Sequence, residues 1–399
     1  MLFRPSVLLL LLPRSPTSPS RVRTLPVPLT LGGTTIKDLP IEVLLLIVSH
    51  IPRKDLGLLA QVDRDFNSFL SRQLWTSIKI DLFVDPGSTY TTFTRFLQFA
   101  TRDPLRAQNL RELTLIMKPG RYRSTRHSIG QVAKALQLLP NLQQLQIEYE
   151  EYDPNISKML CHPPGDQPWP FKLHTFSYEF KYSEEILPFL SQQPSIEVCN
   201  LLPVFTYARI RSPRLDKELQ DVILPNIRQV ACSWEWVNIV FLGRALLSLE
   251  FDVTPDLLKK AEQVSDPIQP GTTTAEQLQV YITRDTNLLH LLPRVIQHEV
   301  GVRLHGIRTL VLEAYSAPTQ FLANTLTECS SFSGLEELHW YWFCPELGDH
   351  RLDKIAKLCA ARNQNLQLIE FGAFGKTARA RDRRRVWKRD RKNDLFREV

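Results

Sequence analysis

After residue 82 the chain returns nine times to one short apolar pattern, L-x-x-L-x-L with apolar substitutes, and this recurrence restricts its fold more than any other feature. The instances are Leu110/Leu113/Leu115, Leu142/Leu145/Ile147, Leu173/Phe176/Tyr178, Ile196/Cys199/Leu201 and Ile227/Val230/Cys232. Later come Leu246/Leu249/Phe251, Ile307/Leu310/Leu312, Leu335/Leu338/Trp340 and Leu366/Ile369/Phe371. Successive starts lie 32, 31, 23, 31, 19, 61, 28 and 31 residues apart, so the 61-residue gap is expected to hide an irregular repeat or an inserted loop around Asp266 to Thr274. In an extended strand alternate side chains share a face, which puts the fourth and sixth motif positions together. Helical patterns lie between several motifs, as at His127 to Leu139 (Val132, Leu136, Leu139) and Leu288 to Val300, and often end at Leu-Pro-Asn or a similar break. A unit of one strand and one helix cannot hide its own apolar face, whereas stacked units bury it between them. The expectation is an irregular α/β solenoid over residues 83–375, with parallel strands on the concave side and helices outside. An ordinary α/β domain with a parallel sheet is the simpler alternative.

The segment before the repeats has a different pattern. Residues 36–82 read IKDLPIEVLLLIVSHIPRKDLGLLAQVDRDFNSFLSRQLWTSIKIDL. Asp38 suits a helix cap and Pro40 its first turn, where a missing N–H costs nothing. At 100° per residue, Ile41, Val43, Leu44, Leu45, Ile47, Val48 and Ile51 span an arc of about 200°, roughly twice the stripe that a surface helix buries. Pro52 ends that helix, and Asp55 opens a second with Leu56, Leu59 and Val62 on one face. A third short helix is expected at Phe66, Phe69 and Leu70, before Leu74 and Trp75 lead into a strand through Ile78, Ile80 and Leu82. Three short helices cannot cover so wide an apolar arc among themselves, so a partner must cover part of it.

This segment resembles an F-box. Leu39-Pro40-x-Glu42, Leu44, Ile47, Ile51, Asp55-Leu56, Leu59, Val62, Arg64, Phe66 and Leu74-Trp75 fall in register with that family, although Asp63-Arg64-Asp65-Phe66 stands where many members have Cys-Arg-Arg-Trp. The resemblance implies a three-helix F-box that docks onto a Skp-family linker, and through it onto cullin and RING subunits of a ubiquitin ligase. Its docking residues here would be Leu39, Pro40, Glu42, Leu44, Ile47, Ile51, Leu56, Leu59, Val62, Leu74 and Trp75. A three-helix subdomain without any linker partner is the plainer alternative. The body in turn resembles the leucine-rich repeats that often follow F-boxes. It departs from them at the ninth motif position, where Lys118, Glu150, Val204 and Glu235 stand instead of asparagine. The implied protein is a non-catalytic substrate-recognition adaptor whose repeats hold a protein substrate.

The third, fifth and seventh motif positions line the concave face in this register. Of those 27 residues eight are acidic (Glu112, Glu148, Glu179, Glu250, Asp252, Glu313, Glu337 and Glu370), none is Lys or Arg, and His339 is the one titratable base. Clustered acids attract cations and repel phosphates, so the expected ligand is a basic partner; a solvated acidic sheet without a ligand is equally compatible with the pattern. Trp234, Trp236 and Trp340 are expected mainly in the core.

The net charge of +7 belongs to the ends of the chain. Residues 376–399 hold eleven Lys/Arg against four Asp/Glu, giving +7, and residues 1–37 hold five basic residues and no acid, giving +5; the middle is therefore 7 − 7 − 5 = −5. Residues 1–35 are expected to be a disordered leader, because the apolar run Val7 to Leu12 is too short to span a bilayer and prolines 13, 16 and 19 follow it. The basic tail, residues 376–399, is expected to be a solvated helix or disordered, and is the one segment suited to nucleic acid or nuclear import. This leaves a second reading open: a nuclear scaffold that uses tail and repeats without a ligase. Six scattered cysteines without a CxxC pair are expected to be reduced and mostly buried, as in a cytoplasmic or nuclear protein. There is no P-loop, GxGxxG, GxSxG or HExxH, and Cys161-His162 lacks the spacing of a zinc site. No catalytic residue, metal or cofactor is expected, and no membrane partner.

Overall fold

A computed structural model of the protein describes residues 39–61, 67, 69–70, 74–82, 96–98, 100–117, 125–149, 154–161, 163, 167–179, 186–201, 223–234, 236–237, 241, 243–253, 257, 273–282, 295, 300, 304–314, 332–342, 349–373, 385–390 and 395–398. The leader and most of the helix expected at Leu288 to Val300 lie outside the described residues; of the third helix expected at Phe66, Phe69 and Leu70, Phe66 lies outside them, while Asn67, Phe69 and Leu70 are helical.

Two helices come first, α1 (Ile41–His50) and α2 (Arg53–Leu59), each entered through a proline. Strand β1 (Ser77–Leu82) follows, then α3 (Pro104–Ala107), β2 (Glu112–Met117), α4 (Thr125–Leu136) and β3 (Gln144–Tyr149). Next come α5 (Pro154–Cys161), β4 (Thr175–Glu179), α6 (Leu187–Ser191), β5 (Val198–Asn200), β6 (Gln229–Ser233) and β7 (Ala245–Val253). The last part contains β8 (Thr273–Ile282), β9 (Leu304–His305), β10 (Thr309–Ala314), β11 (Glu337–Trp342), α7 (Asp349–Arg362), β12 (Leu368–Ala373), β13 (Arg385–Asp390) and β14 (Leu395–Glu398).

All fourteen strands belong to one open sheet in sequence order, except that β9 pairs beside β8 and leaves β8 next to β10. From β1 to β12 every pairing is parallel. A strand commonly enters the sheet by placing two successive N–H groups on one carbonyl of its predecessor. Gln143 and Gln144 bond Arg111, Arg228 and Gln229 bond Glu197, and Gln367 and Leu368 bond Glu336, at 2.7–3.1 Å. That shared entry fixes the register. The fourth motif positions then align across the sheet as Leu113, Leu145, Phe176, Cys199, Val230, Leu249, Leu278, Leu310, Leu338 and Ile369.

Leu278 belongs to a strand that the motif search passes over. The 61-residue gap contains β8, whose Ala275, Leu278 and Val280 are all fully buried, so a strand in the common register occupies it, beginning by Thr273. Its start at Ala275 divides the gap into 29 and 32 residues. An alanine at the first position hid it.

The fourth and sixth positions pack into one core with apolar side chains of the helices, including Leu136, Leu160, Leu190, Leu352 and Cys359. The opposite face of the sheet carries polar side chains. Asparagines just before three motifs brace the turns: Asn141 Nδ2 donates to Gln108 O (2.8 Å), Asn226 Nδ2 to Pro194 O (3.0 Å) and Asn365 Nδ2 to Ser333 O (2.6 Å). The asparagine missing from the ninth position thus has a counterpart at the position before the first. Trp234, Trp236 and Trp340 are buried as expected, as are the thiols of Cys161, Cys199, Cys232 and Cys359. Burial alone pushes the Cys199 thiol far above its ordinary value.

The tail departs from expectation. Rather than a solvated helix or disordered segment, residues 385–390 and 395–398 are two antiparallel strands that extend the sheet beyond β12. Trp387 is 1% exposed and meets Phe371 edge-on at 5.3 Å between ring centroids. Arg389 reaches the C-terminal end of α7, donating to Ala360 O within it and to Asn363 O just past it at 3.1 Å, and its guanidinium lies 5.3 Å from the Phe396 ring. High charge hid one tryptophan and one phenylalanine, and those two rings hold the segment down. Trp387→Ala is expected to cost about 3–5 kcal/mol in a urea unfolding curve; a loss below about 1 kcal/mol would mean the hairpin is not part of the folded core.

Candidate functional site

Two surfaces carry the predicted residues. The first is α1. Its inward direction lies mid-arc: Val48 is buried, Leu44 and Ile51 are half-buried, and both flanks of the arc are open. Ile41 and Leu45 on one flank and Val43 and Ile47 on the other are 53%, 38%, 40% and 38% exposed. Leu46, outside the predicted arc, is more exposed still, so apolar side chains nearly encircle the first turns. Val48 packs with Leu56, Ala60 and Leu70 into a small cluster separate from the main core, with Ile51, Leu59, Phe69 and Leu74 against it.

Among the predicted docking residues, Leu39, Pro40, Glu42 and Ile47 are exposed and Leu44 and Ile51 are half-buried. Leu56, Leu59 and Leu74 are turned into the small cluster, Trp75 packs on the main core, and Val62 lies outside the described residues. Leu74 and Trp75 therefore tie the helices to the sheet through neighbouring side chains. The sequence reading missed Leu58, which is exposed on α2.

The second surface is the polar face of the sheet. Pairing places Glu250, Gln279, Val311, His339 and Glu370 in one row across β7, β8, β10, β11 and β12. The next row reads Ser233, Asp252, Tyr281, Glu313, Tyr341 and Gly372. Six of the eight predicted residues (Glu250, Asp252, Glu313, Glu337, His339 and Glu370) thus fall on four strands, β7, β10, β11 and β12, within a run of five neighbours. Glu148 and Glu179 stand apart on β3 and β4, and the Glu179 side chain is outside the described residues. Gln279 and Tyr281 come from the unrecognised β8. Nor does the face lack bases, because β1 and β13, beyond the nine motifs, add Lys79 and Lys388.

Their polar partners divide these acids. Lys79 Nζ lies 3.7 Å from Glu148 Oε1, which also accepts from Gln146 Nε2 at 2.9 Å. His339 stands between two carboxylates, Nδ1 at 3.1 Å from Glu370 Oε2 and Nε2 at 3.3 Å from Glu337 Oε2, so the imidazolium can donate to both. Tyr341 Oη donates to Glu370 Oε1 at 3.1 Å. The Tyr341 ring lies across Gly372, where an added Cβ would come within 2.9 Å of Cδ1. Only glycine leaves that ring its place.

Glu250, Asp252 and Glu313 are different. Gln279 Nε2 donates to Glu313 Oε1 at 2.7 Å and to Tyr281 Oη at 2.9 Å, and Tyr281 bonds Glu250. Burial, with Glu250 nearby, pushes Asp252 and Glu313 each up to about 7; burial raises Glu250 as well, and drives the Tyr281 phenol far above its ordinary value. Among the described residues, no Lys, Arg or His contributes to these shifts. Among the described residues, no group of three or more His, Cys, Asp or Glu could hold a metal ion.

Asp252 and Glu313 lose their protons near pH 4 when unfolded but near 7 when folded. Between those values the native state holds more protons, so stability is largest at low pH and falls as pH rises. From pH 5 to 8 the double variant Asp252→Asn/Glu313→Gln is expected to lose less stability than the parent, by about 1–2 kcal/mol after discounting for partial exposure. Parallel Tm-against-pH curves for the two proteins would show that these carboxyls carry no such cost.

Comparison with known proteins bears on the first surface alone. Residues 36–81 match the F-box-like family model, a span that contains α1, α2 and all but the last residue of β1. A search of curated proteins finds no match to the chain. The N-terminal segment is an F-box-like domain, of the kind that generally serves as a non-catalytic adaptor and binds Skp-family proteins.

Proposed function

We propose that the protein is the substrate-recognition subunit of a Skp–cullin–F-box ubiquitin ligase, with α1 docking onto the linker and the body presenting a protein substrate. The observation that carries this reading is the pair of open apolar flanks on α1, inside a segment that matches the F-box-like family. Covering a half-exposed aliphatic side chain is worth about 1 kcal/mol, so a partner gains several kcal/mol from Ile41, Val43, Leu45, Leu46 and Ile47 together. Leu39, Pro40, Leu44 and Glu42 complete the proposed contact. Leu56, Leu59 and Leu74 act from beneath, holding α1 at its angle.

The body is proposed to be a degenerate leucine-rich-repeat solenoid that begins directly after the F-box and ends at residue 375, with its polar face turned to the substrate. The repeating two-on-one strand entry and the alignment of ten motif positions support that reading. Catalysis lies elsewhere in such a complex: the subunit raises the concentration of substrate lysines near a charged conjugating enzyme. A cytoplasmic or nuclear setting fits the free thiols. A nuclear scaffold working through a free basic tail is disfavoured, because Arg385, Lys388 and Arg389 lie in β13 and Trp387 anchors it.

Leu39→Ala/Pro40→Ala in the full-length chain is expected to cut capture of the Skp-family linker at least tenfold in a pull-down, while circular dichroism and Tm stay within about 2 °C of the parent. Wild-type protein that captures no linker would overturn the adaptor assignment.

A further inference from the structure

The carboxylates on the polar face fall into two groups, and the difference between them identifies a ligand. Glu337 and Glu370 have His339 between them, and Glu148 has Lys79. Among the described residues, the hydrogen-bond partners of Glu250 and Glu313 are the neutral donors Tyr281 and Gln279, and no Lys, Arg or His pairs with Glu250, Asp252 or Glu313. In the sheet register Tyr281 stands between Asp252 and Glu313, giving the order carboxylate, phenol ring, carboxylate across three adjacent strands. Next in that row is Ser233, which alternation on β6 places on the same face, since Val230 and Cys232 point into the core. Ser233 is 2% exposed and its Oγ has no hydrogen-bond partner among the described residues. A buried hydroxyl without a partner costs about 1–3 kcal/mol. Beside Asp252, it is an acceptor awaiting a donor.

We infer that the row Ser233, Asp252, Tyr281 and Glu313 is the seat of one arginine side chain from an extended segment of the partner protein, its guanidinium laid against Tyr281 between the two carboxylates. The inference deepens the proposed substrate-binding role of this face and rests on that reading. Three considerations select arginine. Adjacent strands are about 4.8 Å apart, so acceptors on three successive strands are spread too widely for one compact ammonium. The guanidinium has five N–H donors in a flat fork, which suits several separated oxygens. It also stacks on an aromatic face, where attraction to the ring adds to that of the flanking acids. Anionic ligands are repelled by all three carboxylates. The His339 group is a poorer seat, because its acids already meet an internal base.

The test uses the full-length protein and a fluorescein-labelled nine-residue Gly/Ser peptide with arginine at every third position. Its control carries citrulline, an uncharged isostere, at the same places. Fluorescence anisotropy at pH 8 is expected to show the arginine peptide binding at least tenfold more tightly. Asp252→Asn/Glu313→Gln should reduce that preference below twofold, and Ser233→Ala should weaken it severalfold. Glu112→Gln/Glu197→Gln, which removes equal charge from exposed sites away from the row, should leave it intact. Equal binding of the two peptides overturns the inference, as does a preference that survives Asp252→Asn/Glu313→Gln or falls equally in the Glu112→Gln/Glu197→Gln control. Linker capture by Asp252→Asn/Glu313→Gln, measured in parallel, separates the two proposals: it stays at the wild-type level if only the arginine seat is wrong.

Discussion

The two-on-one hydrogen bonding at most strand entries governs most of what this molecule presents. A carbonyl at Thr76, Arg111, Gln143, His174, Glu197, Arg228, Arg308 or Glu336 accepts two successive N–H groups from the next strand, and so sets where pairing begins. Once it is set, the period of two in the strand dictates everything that follows. Leu, Ile and Phe at the fourth and sixth positions enter the core, and whatever stands at the fifth and seventh is displayed. A slip of one residue would put Glu250 and Asp252 inside and Leu249 and Phe251 outside. Core burial therefore specifies the register, and the register places the acids.

This explains which parts of the structure could be read from sequence. The apolar positions of nine strands were legible because a buried parallel strand needs large aliphatic or aromatic residues at fixed spacing. β8 was not, because Ala275 fills its first position with a side chain too small to stand out, although Leu278 and Val280 keep the pattern. Its absence from the reading removed Tyr281 and Gln279, the two residues that join Glu250, Asp252 and Glu313 into one group. The charged tail misled for the opposite reason: its composition describes a solvated segment, yet Trp387 and Phe396 are buried although β13 and β14 carry six charged residues. Among these, Arg385 bonds Glu398 across the hairpin.

The two surfaces depart from the lowest-energy arrangement in different ways. On α1 the cost is apolar area left in water. The short cluster of Val48, Leu56, Ala60 and Leu70 is too small to cover a helix that is aliphatic on nearly every side. On the sheet the cost is electrostatic: three half-buried carboxylates with raised proton affinity lie close together, and a hydroxyl nearby is left without a partner. Asn or Gln in place of the acids would keep the ladder and the core unchanged. Neither feature helps the isolated chain fold; an apolar cover would relieve the first and a cation the second.

The sheet also links the two. β1 leaves the helical segment at Trp75, whose ring packs on the main core, and runs directly into the parallel ladder. Seven strand steps separate β1 from β8, about 34 Å at the usual spacing. Each step is fixed by backbone hydrogen bonds rather than by a linker, so under the proposed function a segment held at Tyr281 would sit at a set distance from a protein held at α1. For an adaptor that contributes position rather than chemistry, rigidity matters more than reach. A flexible tether of the same span would spread the bound segment over a large volume and dilute its effective concentration. A continuous parallel ladder confines it to one direction.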